Sequence, residues 1–107
     1  MSYQIIFADT AKKDLLKIAK YIAQQSGNKE TAVKFISSLR KECIKLQDFP
    51  ESGAIAKDRL LKNAGYRSIT YQKYPLFYRV HPSEQTVIMM AVFSAGQNYF
   101  RTMKQYL

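Results

Sequence analysis

A chain of 107 residues, 47% of them apolar, is long enough to bury a core without disulfides or structural metals and too apolar to be disordered. Its one cysteine, Cys43, excludes an intrachain disulfide framework or a Cys-rich metal site and fits a reducing, cytoplasmic setting. Seventeen Lys and Arg against eight Asp and Glu leave a net charge of +9, an excess that attracts polyanions or an acidic protein partner.

A single domain over residues 1–107 is expected from this length. The first residues lack a basic segment followed by a long apolar run, so no signal peptide is read there. No stretch approaches the ~18 apolar residues that span a bilayer, and no membrane partner is expected. The charge is spread along the chain: residues 1–50 carry nine basic and five acidic groups, and residues 51–107 carry eight and three. It is densest between Lys57 and Arg79, where six basic groups face Asp58 alone.

In chain order, Tyr3 to Phe7 is a short apolar run that predicts a strand. Asp9 or Thr10 then caps a helix from Ala11 to Gln25, with Ala11, Leu15, Ile18, Ala19 and Ile22 on its apolar stripe and Leu16, Tyr21 and Ala23 widening it. Ser26-Gly27-Asn28 stops that helix and starts a second, from Lys29 to Gln47, with Ala32, Phe35 or Ile36, Leu39, Cys43 and Leu46 at helical spacing. The short turn makes the two an antiparallel hairpin. Phe49-Pro50-Glu51-Ser52-Gly53 ends the second helix, and Asp58 to Lys62 has room for one helical turn.

Three strands are predicted next, at Tyr66–Tyr71, Leu76–Val80 and Thr86–Phe93, with His81 to Gln85 as the turn between the last two. "TVIMMAVF" is apolar on both alternation phases, which predicts a strand flanked on both sides. Ser94-Ala95-Gly96 breaks it before a short C-terminal helix starting at Gln97 or Tyr99. The order β-α-α-β-β-β is an α+β fold in which a helical hairpin packs on a mainly antiparallel sheet. The second sheet face is expected to stay partly open and to hold the function.

The chemistry available is Arg, Lys, Tyr, Ser and Gln. His81 stands alone in a turn, and Cys43 sits on an apolar stripe where free cysteine behaves as a small hydrophobe. No metal or other cofactor is expected. In "YRSITYQKYPLFYRV", a two-residue Gln72-Lys73 turn sets Arg67 opposite Tyr78, with Ile69, Tyr71, Leu76 and Val80 on one face and Tyr66, Ser68, Thr70, Phe77 and Arg79 on the other. A one-residue slip would reverse a strand. Both Arg stems are expected at the sheet rim, with their guanidinium groups in water or on a partner. Arg and Tyr together suit phosphate clamping with base stacking, or a protein interface. Ser94, Gln97, Asn98 and Arg101 follow the last strand and are expected to approach the hairpin.

These residues resemble the RelE/ParE superfamily of bacterial type II toxins over nearly the full length. The resemblance is carried by "AKKDLLKIAKYIAQQ", "LQDFPESG", "YRSITYQKYPLFYRV" and "VIMMAVFSAGQNYF". It implies a small basic toxin of a plasmid-stabilisation module, neutralised by a cognate antitoxin whose acidic or amphipathic tail wraps it. RelE-like members cleave messenger RNA on the ribosome without metal, using a basic cluster and a C-terminal Tyr; ParE-like members inhibit DNA gyrase. Arg67 matches one basic position of the nuclease pattern, but Pro75 and Asn98 fall where others stand, and Arg101 matches only with a shift. Tyr99 or Tyr106 would be the C-terminal Tyr, and Ser94 stands where ParE-like members often carry His.

The leading expectation is thus a gyrase-binding toxin whose target and antitoxin surface includes Arg67, Tyr71, Tyr78, Arg79, Gln97, Asn98 and Arg101. The alternatives are a ribonuclease and a non-toxic interaction module. In the ribonuclease, Arg67 and Arg79 would clamp phosphate while Tyr78, Tyr99 or His81 moves protons.

Overall fold

The computed structural model describes residues 2–94 and 97–107. In order these form β1 (Gln4–Phe7), α1 (Asp9–Ser26), α2 (Lys29–Ile44), β2 (Ala54–Ile55), α3 (Arg59–Asn63), β3 (Tyr66–Tyr71), β4 (Tyr74–His81), β5 (Thr86–Val92) and α4 (Tyr99–Met103). The architecture is the expected α+β one. Of the predicted break after β5, Ala95 and Gly96 lie outside the described residues. None of the described helices is long and apolar enough to cross a membrane.

Local chemistry sets most boundaries. Gly27 takes the left-handed conformation, φ +67, that closes a helix without a Cβ penalty. Asn28 then caps α2 by accepting the Glu30 N–H at 2.8 Å. Asp58 and Asn98 do the same for α3 and α4. The start of α1 differs from expectation. Ala8 holds the cap position with no side-chain bond, Asp9 lies in the first turn, and the Thr10 hydroxyl donates to the Met90 carbonyl at 2.6 Å. A negative charge in the first turn still complements the helix dipole.

The sheet order is β1-β5-β4-β3-β2, with β1 parallel to β5 and the other pairs antiparallel. β5 is therefore flanked on both sides, as its two-phase apolar pattern predicts. The β3–β4 register has the expected two-residue turn, pairing Arg67 with Tyr78 and Tyr71 with Tyr74. Gln72 accepts φ +54 to make that turn. β4 and β5 pair regularly except between Phe77 and Tyr78, which face Ala91 and Met89, leaving Met90 as an extra residue in β5.

Each sheet face has its own core. On one, Ala11, Leu15 and Ile18 of α1 and Leu39 and Cys43 of α2 pack on Leu76, Tyr78, Val87 and Met89. Leu16 and Tyr21 do not widen that stripe; they are 61% and 58% exposed. On the other face, Leu61 of α3 and Met103 of α4 pack with Tyr66, Phe77, Ala91 and Phe93. This second face was expected to be partly open. Instead α3 and the C-terminal segment lie on it, because Phe77 and Phe93 present an apolar seat there.

Candidate functional site

The hairpin residues singled out by the sequence divide between the two faces. Arg67 pairs with Tyr78 and Arg79 with Tyr66, so adjacent positions place the two arginines on opposite sides of the sheet. They do not converge on one phosphate. Tyr78 is fully buried, its hydroxyl donating to the Pro50 carbonyl at 2.8 Å and accepting the Gly53 N–H at 2.9 Å. Burial pushes its phenol up, with the Gly53 bond and nearby Arg67 offsetting part of the rise. Both hydrogen-bonding functions are taken up inside the fold, which removes Tyr78 from any contact surface.

Arg67 is not at a free rim. Its guanidinium donates to the Glu51 and Gly53 carbonyls, each at 3.0 Å, and lies 3.6 Å from the Glu51 carboxylate. Arg67 and Tyr78 together tie the Pro50–Gly53 loop to β3 and β4. On the other face the Arg79 guanidinium lies over the Tyr66 ring, 5.3 Å from its centroid. The Tyr66 hydroxyl donates to the Tyr106 carbonyl at 2.9 Å, holding the C-terminal turn against the sheet. Burial pushes the Tyr66 phenol up, and Arg79 partly counters this. Tyr99 packs on Phe77 and Phe93, at centroid distances of 6.0 and 5.2 Å. His81 ends β4 opposite Thr86, on the Arg79 side. The five residues of the nuclease alternative are thus scattered, with Arg67 and Tyr78 on one face and Arg79, Tyr99 and His81 on the other.

Tyr71 packs against Phe35 of α2, 5.4 Å between centroids, and Tyr74 packs on the same ring at 5.2 Å. Gln97 and Asn98 are exposed but locally engaged. The Gln97 carboxamide oxygen accepts the Ser94 N–H at 2.7 Å and the Ser94 hydroxyl at 3.0 Å, and the Asn98 side chain accepts the Arg101 N–H at 3.1 Å. Arg101 is exposed, with no ion pair among the described residues.

The end of β5 runs beside the start of β4, shown by the Phe93 N–H donating to the Pro75 carbonyl at 2.9 Å. Ser94 and Gln97 therefore approach the hairpin turn, not Arg67 or Arg79. Between this turn, α1 and the end of β5 lies a cleft of about 790 Å³. Asp14 of α1 lines it, one carboxylate oxygen accepting the Val92 N–H at 3.0 Å. Burial raises the Asp14 carboxyl from its ordinary value; the Val92 bond and nearby Lys17 pull the other way. Lys17, Tyr21, Lys73 and Tyr74 line the same cleft. The sequence reading missed this group. Its only trace was a charged residue between Ala11 and Leu15, two turns before a tyrosine credited to the apolar stripe.

A family model described as the ParE toxin of the type II toxin–antitoxin system parDE matches residues 5–99. The chain belongs to the ParE toxin family. This ParE-family toxin resembles three solved structures in fold. The RelBE2 toxin–antitoxin complex of Mycobacterium tuberculosis matches at 22% identity and TM-score 0.64, over 91% of this chain and 95% of that one. The chromosomal ParDE system of P. aeruginosa matches at 18% and 0.71, over 87% and 96%. The isolated RelE toxin of E. coli matches at 19% and 0.58, over 99% and 100%. No curated protein sequence matches the chain.

Proposed function

We propose that this toxin arrests growth by holding a macromolecular target, DNA gyrase, and that a cognate antitoxin with an acidic or amphipathic tail neutralises it in the cytoplasm. The observation that carries a holding role over a cutting one is the register. Arg67 and Arg79 point to opposite faces, and Tyr78 is sealed in the core, so the groups a metal-independent ribonuclease would need do not meet. Family membership supports the ParE-like target. Two of the similar structures are toxin–antitoxin pairs, which supports the antitoxin partner. The net charge of +9 complements an acidic tail. The residues exposed to partners are Arg101, Gln97 and Asn98, while Arg79 and Tyr71 are half-buried and offer only part of their surface.

Induction in bacteria, with transcripts and DNA damage followed together, tests this reading. An SOS response with gyrase-linked DNA breaks and intact messages is the expected result. Messages cut at ribosome-bound positions would overturn it, and the absence of any growth defect would leave only the interaction-module alternative.

A further inference from the structure

We infer that the cleft between α1, the β3–β4 turn and the end of β5 is a pocket for an arginine side chain, presented by a partner segment that is acidic on either side of that arginine. This deepens the antitoxin reading above by assigning chemistry to one place on the surface.

Asp14 lines the cleft and is half-buried. Its Oδ2 is engaged by the Val92 N–H, while Oδ1 has no hydrogen-bond partner among the described residues. A half-buried carboxylate with a spare oxygen is short of donors, and a charged donor serves it best. Tyr21 and Tyr74 line the same space. Aromatic rings around a carboxylate suit a planar cation, which stacks on the rings while its N–H groups reach the oxygen. Guanidinium fits this better than a compact, strongly hydrated ammonium.

The rim carries the opposite sign. Lys17 and Lys73 line the cleft and are exposed. Lys17 lies close enough to favour the Asp14 carboxylate, yet no lysine forms an ion pair with it within the described residues. Two lysines repel an isolated cation and attract the carboxylates of its neighbours. A wholly acidic segment fits less well, since its carboxylate would meet Asp14. An arginine between acids satisfies the half-buried carboxylate and the exposed lysines together. The volume, about 790 Å³, exceeds what one guanidinium needs and leaves room for its stem and neighbouring backbone.

Titration of the 15N-labelled toxin with the peptide Ac-Glu-Arg-Glu-NH2, followed by NMR, tests the pocket without the antitoxin. The Val92 and Tyr74 amides are expected to shift, and Ac-Glu-Ala-Glu-NH2 is expected to bind about tenfold more weakly. Asp14→Asn, which keeps an acceptor for Val92, should erase that tenfold difference. Tyr21→Ala, at a 58% exposed position that folding does not need, should reduce it about threefold. Equal binding of the two peptides, or no shift around the cleft with either, overturns the proposal. So does a preference of the cleft for guanosine monophosphate over the arginine peptide, which would make it a nucleotide site. Failure of the antitoxin to bind the unmodified toxin would instead overturn the antitoxin reading, and the peptide comparison does not depend on it.

Discussion

Tyr78 and Gly53 act as one unit although 25 residues separate them. A Cβ built on Gly53 meets the Tyr78 hydroxyl and, at 2.8 Å, the backbone carbonyl of Ser68. Tyr78→Phe strands the Gly53 N–H and the Pro50 carbonyl and should cost about 2 kcal/mol in urea unfolding. Gly53→Ala should cost about 1–3 kcal/mol by overpacking. The double variant should cost less than the sum, because removing the hydroxyl frees part of the space; strict additivity would show that the two do not share a contact. Asp14 behaves in the opposite way. Its carboxyl is raised by burial above the ordinary 3.8, so the folded state binds the proton more tightly than the unfolded chain. The associated stability is present below the unfolded value and is lost as pH rises through the folded one. Asp14→Asn does not titrate there, so it should gain stability relative to the wild type as pH rises from 3 to 7. Melting curves across that range check this, and a constant offset would show that burial does not perturb the group. A residue that weakens the fold at neutral pH is the kind a binding site retains.

At the scale of elements, the hairpin was legible in detail because a two-residue turn leaves little freedom in register. The helices were legible through their stripes, and the caps at Gly27 and Asn28 marked the boundary between them. β2 was not, since Ala54–Ile55 is two residues long and both are exposed, so no periodicity develops. The covering of the second face was also missed. Nothing in Tyr99–Met103 alone shows that Met103 ends up fully buried against residues from β3, β4 and β5. The candidate site was less legible than the fold. Arg67 and Tyr78 were singled out for their chemistry, and both are occupied in pinning a loop, whereas Asp14 acquires its interest only from a strand 78 residues away. α4 is short and rests on few large side chains, so it should open locally before the sheet unfolds. Met103→Ala removes about 2 kcal/mol of packing, and amide exchange across residues 99–106 should rise about 30-fold while β4 changes less. Equal acceleration in both would mean that α4 and the sheet open only together.

The whole molecule carries +9 with its cores on both faces of the sheet, so partners meet a charged shell. Association with an acidic partner should therefore be steered. Its on-rate should fall at least about tenfold between ~50 and ~500 mM salt, with a much smaller change in off-rate. Stopped-flow mixing checks this, and a salt-independent on-rate would argue for a contact made by apolar anchors alone. One local irregularity also governs the whole. Before Met90, the odd-numbered residues Val87 and Met89 face the helical hairpin; after it, the even-numbered Val92 does, and Ala91 turns to the opposite core. Met90 thus reverses the parity of β5, and the Thr10 hydroxyl holds its carbonyl where the count changes. Deleting this one residue would leave every other side chain of the chain intact. It would also leave Val92 toward α1 and Phe93 toward α4, because Met89 and Ala91 would then follow each other in regular alternation, whereas forcing Met90 into the regular ladder would exchange the contents of the two cores. A chain that drifts by insertion and deletion can therefore lose a residue at Met90 and keep both cores, although the same loss at a regularly paired position of β5 would turn part of the strand over.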